Sequence, residues 1–251
     1  MPSTESATRA SRLRTHSFPP DDRKVIAYLP PGYEEEAERS YPILYMQDGQ
    51  NLFGETGWRM AESADAAIEA GEVEPLIIVG IASARERRIA EYTPTMDWKL
   101  GGGEADRYGR LLLEEVAPFL SANYRVRQGA ANTGLGGSSM GGLAALYLGL
   151  KHDEIFGKLA ILSPSVWWNH RAILDIVSGM TLKGRGRPRT WLDVGDAEGR
   201  RAVTDVDLLA RRLRTRGWRA DLRYERAEGG THDEAAWAQR VRPMLRFLFP
   251  A

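Results

Sequence analysis

The residues of this chain that could do chemistry converge on one serine. The run Gly136–Gly142 contains the pattern Gly-x-Ser-x-Gly, with Ser139 at its centre. A nucleophilic serine on a sharp strand-to-helix turn needs small residues two positions away on each side, and Gly137 and Gly141 meet that need. The Ser139 hydroxyl would then point outward at the start of a helix, and the backbone N–H of Met140 would face a developing oxyanion.

The five-residue pattern is also typical of a glycine-rich turn without chemistry, and on these residues alone that alternative stays open. The setting favours catalysis, because residues 132–138 are typical of a strand and residues 140–150 of an apolar helix. A dinucleotide-binding turn is disfavoured, because Ser139 stands where the third glycine of Gly-x-Gly-x-x-Gly belongs.

A serine nucleophile needs a general base, and the chain has four histidines. They are His16, His152, His170 and His232. Only His232 follows the last predicted strand and precedes the last predicted helix, which is the place of the base in the chain order serine, acid, histidine. A single loop histidine is often an exposed residue with no role, but the glycine-rich setting of His232 favours catalysis.

The acid that orients such a histidine is expected in the segment 192–199, after the strand that lies between the serine and the base. Three carboxylates occur there. Asp193 lies inside the predicted strand and suits a structural role, while Asp196 and Glu198 lie in the loop beyond it. The residues alone leave the choice between the last two open.

The composition disfavours several other classes of protein. Lys plus Arg and Asp plus Glu each number 34, so the formal net charge is zero and a globally basic nucleic-acid binder is disfavoured. The absence of cysteine excludes a disulfide scaffold, thiolate zinc sites and a cysteine nucleophile. No histidine spacing typical of a metal site occurs, so we expect no metal.

Membrane and anionic partners have little support in the sequence. No stretch approaches the roughly 18 apolar residues of a membrane helix, and residues 1–14 lack the apolar run of a signal peptide. We therefore expect a cytoplasmic protein with neither nucleic acid nor membrane as a partner. Two basic stretches, 183–189 and 211–219, are interpreted as solvated surfaces, although the first could meet an anionic partner.

The elements that must position the candidate residues alternate between strands and helices. The predicted strands are 25–29, 41–47, 76–81, 132–138, 159–162, 190–194 and 220–224. The predicted helices are 61–70, 107–123, 140–150, 205–216 and 235–249, with Pro243 expected to kink or restart the last one. This alternation predicts an α/β fold with a mostly parallel central sheet and helices on both faces.

The length of 251 residues with 43% hydrophobic residues suits a single domain. We expect a loose N-terminal tail over residues 1–20 and one domain over residues 21–251. The oligomeric state is left open.

Four motifs, in this order, resemble the "putative esterase" family of α/β-hydrolases. They are YPILYMQDGQNLF (41–53), GSSMGG (137–142), LDVGDAE (192–198) and GGTHDEAAW (229–237). The family includes enterochelin and feruloyl esterases, esterase D-like S-formylglutathione hydrolases and mycolyltransferases. The resemblance runs from about Val25 to Phe249. It is closer to the siderophore and feruloyl esterases than to the thiol-esterase branch, because the chain has no cysteine and lacks the greater length expected of that branch.

The resemblance implies a single-domain α/β-hydrolase fold and an acyl-enzyme mechanism without a cofactor. The resemblance makes Ser139 the nucleophile and His232 the general base. The family's acid lies a few residues past the glycine that ends the strand, which matches Glu198 best, with Asp196 as the alternative.

The family's second oxyanion donor is the backbone N–H just after an Asp-Gly turn. That position is Gln50 in this sequence, and its N–H would act together with that of Met140.

Aromatic residues are candidates for the wall of a substrate groove. They are Trp58, Tyr92, Trp167 and Trp168. Trp167 and Trp168 follow the carboxyl end of a predicted strand, where α/β sheets bind ligands. An aromatic wall suits an aryl acyl group such as a hydroxycinnamoyl or catecholate ester. The alternative is that one or both tryptophans close the hydrophobic core.

The sequence thus predicts a serine carboxylic-ester hydrolase that acts on a small-molecule ester, with aryl or siderophore-type esters as candidate substrates. Two alternatives remain. The same triad would serve an acyltransferase, or the fold could belong to a non-catalytic ligand-binding relative.

Overall fold

A computed structural model describes residues 12–19, 21–184 and 186–251 of the chain. Its strands are β1 Leu13–Phe18, β2 Arg23–Tyr28, β3 Ile43–Gln47, β4 Ile77–Ile81, β5 Met96–Asp97, β6 Gly101–Gly102, β7 Thr133–Ser138, β8 Lys158–Leu162, β9 Arg189–Gly195 and β10 Leu222–Ala227. Eight of them form one sheet in the order β1-β2-β4-β3-β7-β8-β9-β10, while β5 and β6 form a separate hairpin. The pairs β1–β2 and β2–β4 are antiparallel, and every other pair in the large sheet is parallel.

Helices cover both faces of this sheet. They are α1 Met60–Glu69, α2 Arg88–Tyr92, α3 Ala105–Arg110, a π-helical segment Leu111–Val116, α4 Ala117–Asn123, α5 Ser139–Lys151, α6 Trp168–Gly179, α7 Arg200–Thr215 and α8 Glu234–Leu248. Helices α1 and α8 bury their apolar residues on one face, and the segments from α3 to α7 bury theirs on the other. The predicted α/β fold class is confirmed.

The central strands are apolar along their whole length because both faces of the sheet are covered. Every residue of β3 and of β4 is buried, including the run Ile77-Ile78-Val79. Parallel strands bring their carboxyl ends to one edge of the sheet. The loops that follow β3, β7, β8 and β9 therefore meet at that edge, and they carry most of the predicted site residues.

The predicted boundary of the N-terminal tail is wrong. Residues 13–18 form β1, which pairs antiparallel with β2 and buries Phe18. The sequence LRTHSF lacks a clear apolar alternation, so the pairing with β2, and not a local signal, makes it a strand. Residues 1–11 and Pro20 of the predicted tail lie outside the described residues. So does Arg185 of the basic stretch 183–189.

Helix α8 runs through Pro243 without restarting, so of the two outcomes expected at this proline, a kink or a restart, the restart does not occur. Proline removes one internal hydrogen bond from a helix. The neighbouring side chains of Val241, Met244 and Leu245 are fully buried on the sheet, and this packing keeps the helix continuous.

Candidate active site

Ser139 begins α5 directly after β7, on the sharp turn that the sequence predicts. Its φ is 56°, in the left-handed region that non-glycine residues seldom adopt. A Cβ on Gly137 would lie 2.7 Å from the carbonyl carbon of Gly141, and a Cβ on Gly141 would lie 2.9 Å from Cβ of Gln47. Both positions therefore require glycine, and the strained turn holds Ser139 at the carboxyl edge of the sheet.

His232 bridges Ser139 and Glu198. Its Nε2 lies 3.0 Å from Ser139 Oγ, and its Nδ1 lies 2.7 Å from Glu198 Oε2. With the proton on Nδ1, the imidazole donates to the carboxylate and accepts from the hydroxyl. The Glu198 side chain is 2% exposed and that of His232 is 45% exposed, so the acid is buried while the imidazole reaches solvent.

The other histidines lie away from this cluster. His16 Nε2 is 2.6 Å from Tyr124 Oη, and His152 Nδ1 is 3.6 Å from a carboxylate oxygen of Glu154. His170 lies in the first turn of α6, where its φ is 55°. Of the four histidines, the structure brings only His232 to the serine.

The second carboxylate oxygen of Glu198, Oε1, accepts hydrogen bonds from groups on the interior side of the site. Oε1 accepts a hydrogen bond from Gly195 N–H at 2.7 Å and another from the Ser163 hydroxyl, which itself accepts from Arg240 Nη1 at 3.1 Å. Burial alone would raise the pKa of Glu198, but the hydrogen bonds it accepts, first from His232, outweigh burial. The pKa of Glu198 therefore lies below its ordinary value, and the carboxylate stays charged.

The other two carboxylates of this segment stabilise the surrounding structure. Asp193 is buried, with Oδ1 2.7 Å from Arg240 Nη1 and Oδ2 accepting from Trp191 Nε1 at 2.7 Å. Asp196 Oδ1 accepts from Gly229 N–H at 2.7 Å, in the loop that leads to the histidine. The structure therefore places Glu198, and not Asp196, against the imidazole.

Gln50 lies in a short 3₁₀ turn, Gly49–Asn51, directly after β3. Asp48, which precedes the turn, has a φ of 55° and accepts from Arg88 at both carboxylate oxygens, at 2.7 and 2.8 Å. A Cβ on Gly141 would lie 3.1 Å from Asp48 Oδ2, so this turn packs directly against the serine turn. Sequence reasoning missed Arg88, because an ion pair between positions 40 residues apart leaves no local pattern.

Ser165 is a second residue that the sequence did not predict for the site. Its Oγ is 3.3 Å from Ser139 Oγ, and its N–H donates to the carbonyl oxygen of Ser139 at 3.0 Å. It follows β8 in the segment Ser163-Pro164-Ser165, directly after the predicted strand 159–162. Its position shows that the loop after β8 touches the candidate nucleophile.

Three of the four predicted groove residues are buried, which contradicts their assignment to a substrate wall. Trp58 packs against Trp237 with ring centroids 5.7 Å apart, and Tyr92 lies beneath the 3₁₀ turn, where its hydroxyl accepts a backbone N–H. Trp168 is buried on the core side of α6. Only Trp167, 41% exposed, remains open to a ligand. Large aromatic side chains are common both in hydrophobic cores and in binding sites, so the residue type alone could not predict which of the four would be buried.

Within the described ranges, no group of three or more histidine, aspartate and glutamate side chains could hold a metal ion. No helix in that part of the chain is both long enough and apolar enough to cross a membrane.

Comparison with known proteins identifies the family. Residues 16–248 match the family described as "Putative esterase". The chain belongs to this family. The resemblance inferred from the four motifs is thereby confirmed, and the protein is an ester hydrolase.

The alignments with individual relatives extend over different fractions of this esterase and of each relative. The uncharacterized protein YbbA of Bacillus subtilis is 29% identical over 185 residues, which are 71% of this esterase and 70% of YbbA. The endo-1,4-beta-xylanase/feruloyl esterase of Xylanibacter ruminicola is 25% identical over 232 residues, which are 88% of this esterase but only 28% of that longer protein. The solved structure of the siderophore hydrolase EstA from Aspergillus nidulans shares the fold, with a TM-score of 0.74 at 21% identity over 98% of this esterase and 97% of EstA.

Proposed function

We propose that this esterase cleaves carboxylic esters through an acyl-enzyme formed on Ser139, with His232 as general base and Glu198 as the acid that orients it. The observation that carries the proposal is the continuous chain of hydrogen bonds from Ser139 Oγ through the imidazole to Glu198, with lengths of 3.0 and 2.7 Å. Such a chain activates a hydroxyl by giving its proton a basic acceptor of fixed orientation.

In the first half-reaction, Ser139 Oγ attacks the carbonyl carbon of the ester while Nε2 of His232 takes the hydroxyl proton. The carbonyl electron pair moves onto its oxygen, which becomes the oxyanion. The N–H groups of Met140 and Gln50 are proposed to donate to that oxyanion, and the packing of the 3₁₀ turn against the serine turn supports this role.

The tetrahedral intermediate then collapses, and the alcohol leaves with the proton held by the imidazolium of His232. In the second half-reaction, water gives a proton to Nε2 and attacks the acyl carbon. Release of the carboxylic acid returns the proton to Ser139 Oγ, so the enzyme is regenerated without a cofactor.

For the substrate, we propose aryl or siderophore-type esters. The names of the Xylanibacter ruminicola and Aspergillus nidulans relatives support this class. So does the exposed ring of Trp167, two residues after Ser165. A cytoplasmic location and the absence of a nucleic-acid partner stay predictions from the sequence.

The proposal is tested by intact-mass measurement after treatment with a fluorophosphonate, on the wild type and on the Ser138→Ala and Ser139→Ala variants. Ser138 is the matched control, because it precedes the nucleophile and is buried. We expect one adduct, lost only in Ser139→Ala, and a fall in kcat of at least about 10⁴-fold in that variant. Peptide mapping places the adduct on Ser139 and distinguishes it from Ser165. A folded wild type without an adduct, or a Ser139→Ala enzyme that keeps most of its activity, contradicts the proposal.

A further inference from the structure

Large hydrophobic side chains are exposed mainly in one region of the described chain. They are Ile89, Met96, Trp98, Leu100 and Trp167, and one further exposed residue of this kind, Ile155, lies elsewhere. Trp98 is the most exposed of them, at 79%. Contiguous apolar surface on a folded protein marks a binding site more often than single exposed residues do. This region is therefore the candidate binding surface among the described residues.

The hairpin of β5 and β6 carries the most exposed of these residues, and its base is fixed. Trp168 Nε1 donates to the carbonyl oxygen of Thr95 at 2.9 Å, and Asn169 Nδ2 donates to Thr95 Oγ1 at 3.0 Å. Gly102 has a φ of 94°, and a Cβ there would lie 2.7 Å from Trp168 Cζ2. The burial of Trp168, which contradicted its assignment to the groove, thus gives the hairpin its anchor.

The tip of the hairpin is fixed as well. Asp97 Oδ1 accepts from the N–H groups of Lys99 and Leu100, at 2.9 and 3.0 Å. The apolar side chains of the tip are therefore presented to solvent by an ordered turn. A binding surface that is already ordered loses less conformational entropy when a ligand binds.

The segment that anchors the hairpin also contacts the nucleophile. Ser165 lies against Ser139, and Asn169, four residues later, binds Thr95 and the carbonyl oxygen of Met96. Four residues span at most about 14 Å even when fully extended. The Cα atoms of Ser165 and Asn169 are therefore no more than about that distance apart, and the hairpin base lies one side-chain hydrogen bond beyond Asn169. Trp167 lies between Ser165 and Asn169 along the chain.

We propose that the β5–β6 hairpin and Trp167 form an aromatic-binding subsite, in which Trp98 stacks on a planar ring of the ester substrate. This inference rests on the proposed function. Lys99 Nζ lies 4.7 Å from the centroid of the Trp98 ring, which leaves the other ring face free for a ligand. Tryptophan suits this role, because it offers a large flat surface and has only two side-chain torsions to immobilise.

The test measures kcat/KM for two pairs of esters with the wild type, Trp98→Ala, Trp98→Phe and Ile155→Ala. Methyl 4-hydroxycinnamate and methyl butyrate differ in the acid, while benzyl acetate and ethyl acetate differ in the alcohol. We expect Trp98→Ala to lower the aromatic-to-aliphatic ratio of kcat/KM about tenfold in one pair, mainly through KM. The affected pair identifies which part of the ester carries the ring.

Trp98→Phe should recover most of that ratio, and Ile155→Ala, the exposed control, should leave it unchanged. Equal losses for aromatic and aliphatic esters, or a ratio within twofold of the wild type in both pairs, would overturn the subsite.

A separate binding experiment distinguishes this inference from the proposed function. Calorimetry measures the affinity of methyl 4-hydroxycinnamate and of benzyl acetate for two variants, Ser139→Ala and Ser139→Ala/Trp98→Ala. If the wild type neither takes up fluorophosphonate nor hydrolyses any ester, the proposed function fails, and ligand binding still decides the subsite. Weaker binding of either ester to the double variant supports it. Equal binding of both esters to the two variants, or no binding to either, overturns it.

Discussion

Replacing Glu198 by glutamine is expected to remove most of the activity, and the partners of its two oxygens explain why. Oε1 accepts from Gly195 and Ser163, so the amide oxygen of the glutamine takes that place. The amide NH₂ then occupies the place of Oε2, 2.7 Å from Nδ1 of His232. Because two donors cannot share a hydrogen bond, the imidazole must carry its proton on Nε2. In this tautomer Nε2 cannot accept the proton of Ser139.

An imidazole held in the wrong tautomer costs a serine hydrolase about 10⁴-fold in kcat, which corresponds to about 5.5 kcal/mol in the activation free energy. Asp196→Asn is the matched control, because asparagine keeps an oxygen for the N–H of Gly229. Its kcat should stay within about threefold of the wild type, as for an ordinary surface substitution.

The assay is steady-state ester hydrolysis together with the rate of fluorophosphonate labelling, for the wild type and both variants at one pH. Both rates should fall in Glu198→Gln, because both need the Ser139 proton to reach Nε2. Thermal unfolding establishes that each variant is folded. A Glu198→Gln enzyme with more than a tenth of the wild-type kcat, or a larger loss in Asp196→Asn, refutes the reasoning.

Two further predictions concern stability. The lowered pKa of Glu198 means that its charged form stabilises the fold, a contribution present above the ordinary value of 4.5 and lost as the pH falls through the lower folded-state value. Denaturant unfolding between pH 5 and pH 3 should therefore show a larger loss of stability in the wild type than in Glu198→Gln, and parallel curves would contradict this. Gly141→Ala puts a Cβ 2.9 Å from Gln47 Cβ, and such overpacking costs about 1–3 kcal/mol. Calorimetry should show a lower Tm for Gly141→Ala than for Gly179→Ala, whose Cβ meets nothing within 4 Å, and equal Tm values would count against the close packing.

The serine turn could be predicted because its requirements are local. The close approach of Gly137 to Gly141 involves residues four positions apart, so it leaves a sequence pattern. His232 was located by the order serine, acid, histidine along the chain, although 93 positions separate it from Ser139. The choice between Asp196 and Glu198 needed the structure, because both follow the same strand, and only the path of the loop decides which carboxylate meets the imidazole.

The substrate side of the site could not be predicted from residue types. Trp58, Tyr92 and Trp168 are buried and Trp98 is exposed, although all four are large aromatic residues. Burial depends on which elements pack together, and that is a property of the whole chain. Strand β1 shows the same limit, since its pairing partner, and not its own sequence, makes it a strand.

The position of β10 at the end of the sheet has a consequence for how activity is lost. The loop after this edge strand carries His232, and it is held to the acid loop by hydrogen bonds from Ala197 N–H to the Gly230 carbonyl and from Gly229 N–H to Asp196. Edge elements open at a lower free energy than the centre of a sheet. Fraying here separates the base from Ser139, which stays on central β7. We therefore expect inactivation by heat or denaturant to precede global unfolding and to reverse when the edge closes again.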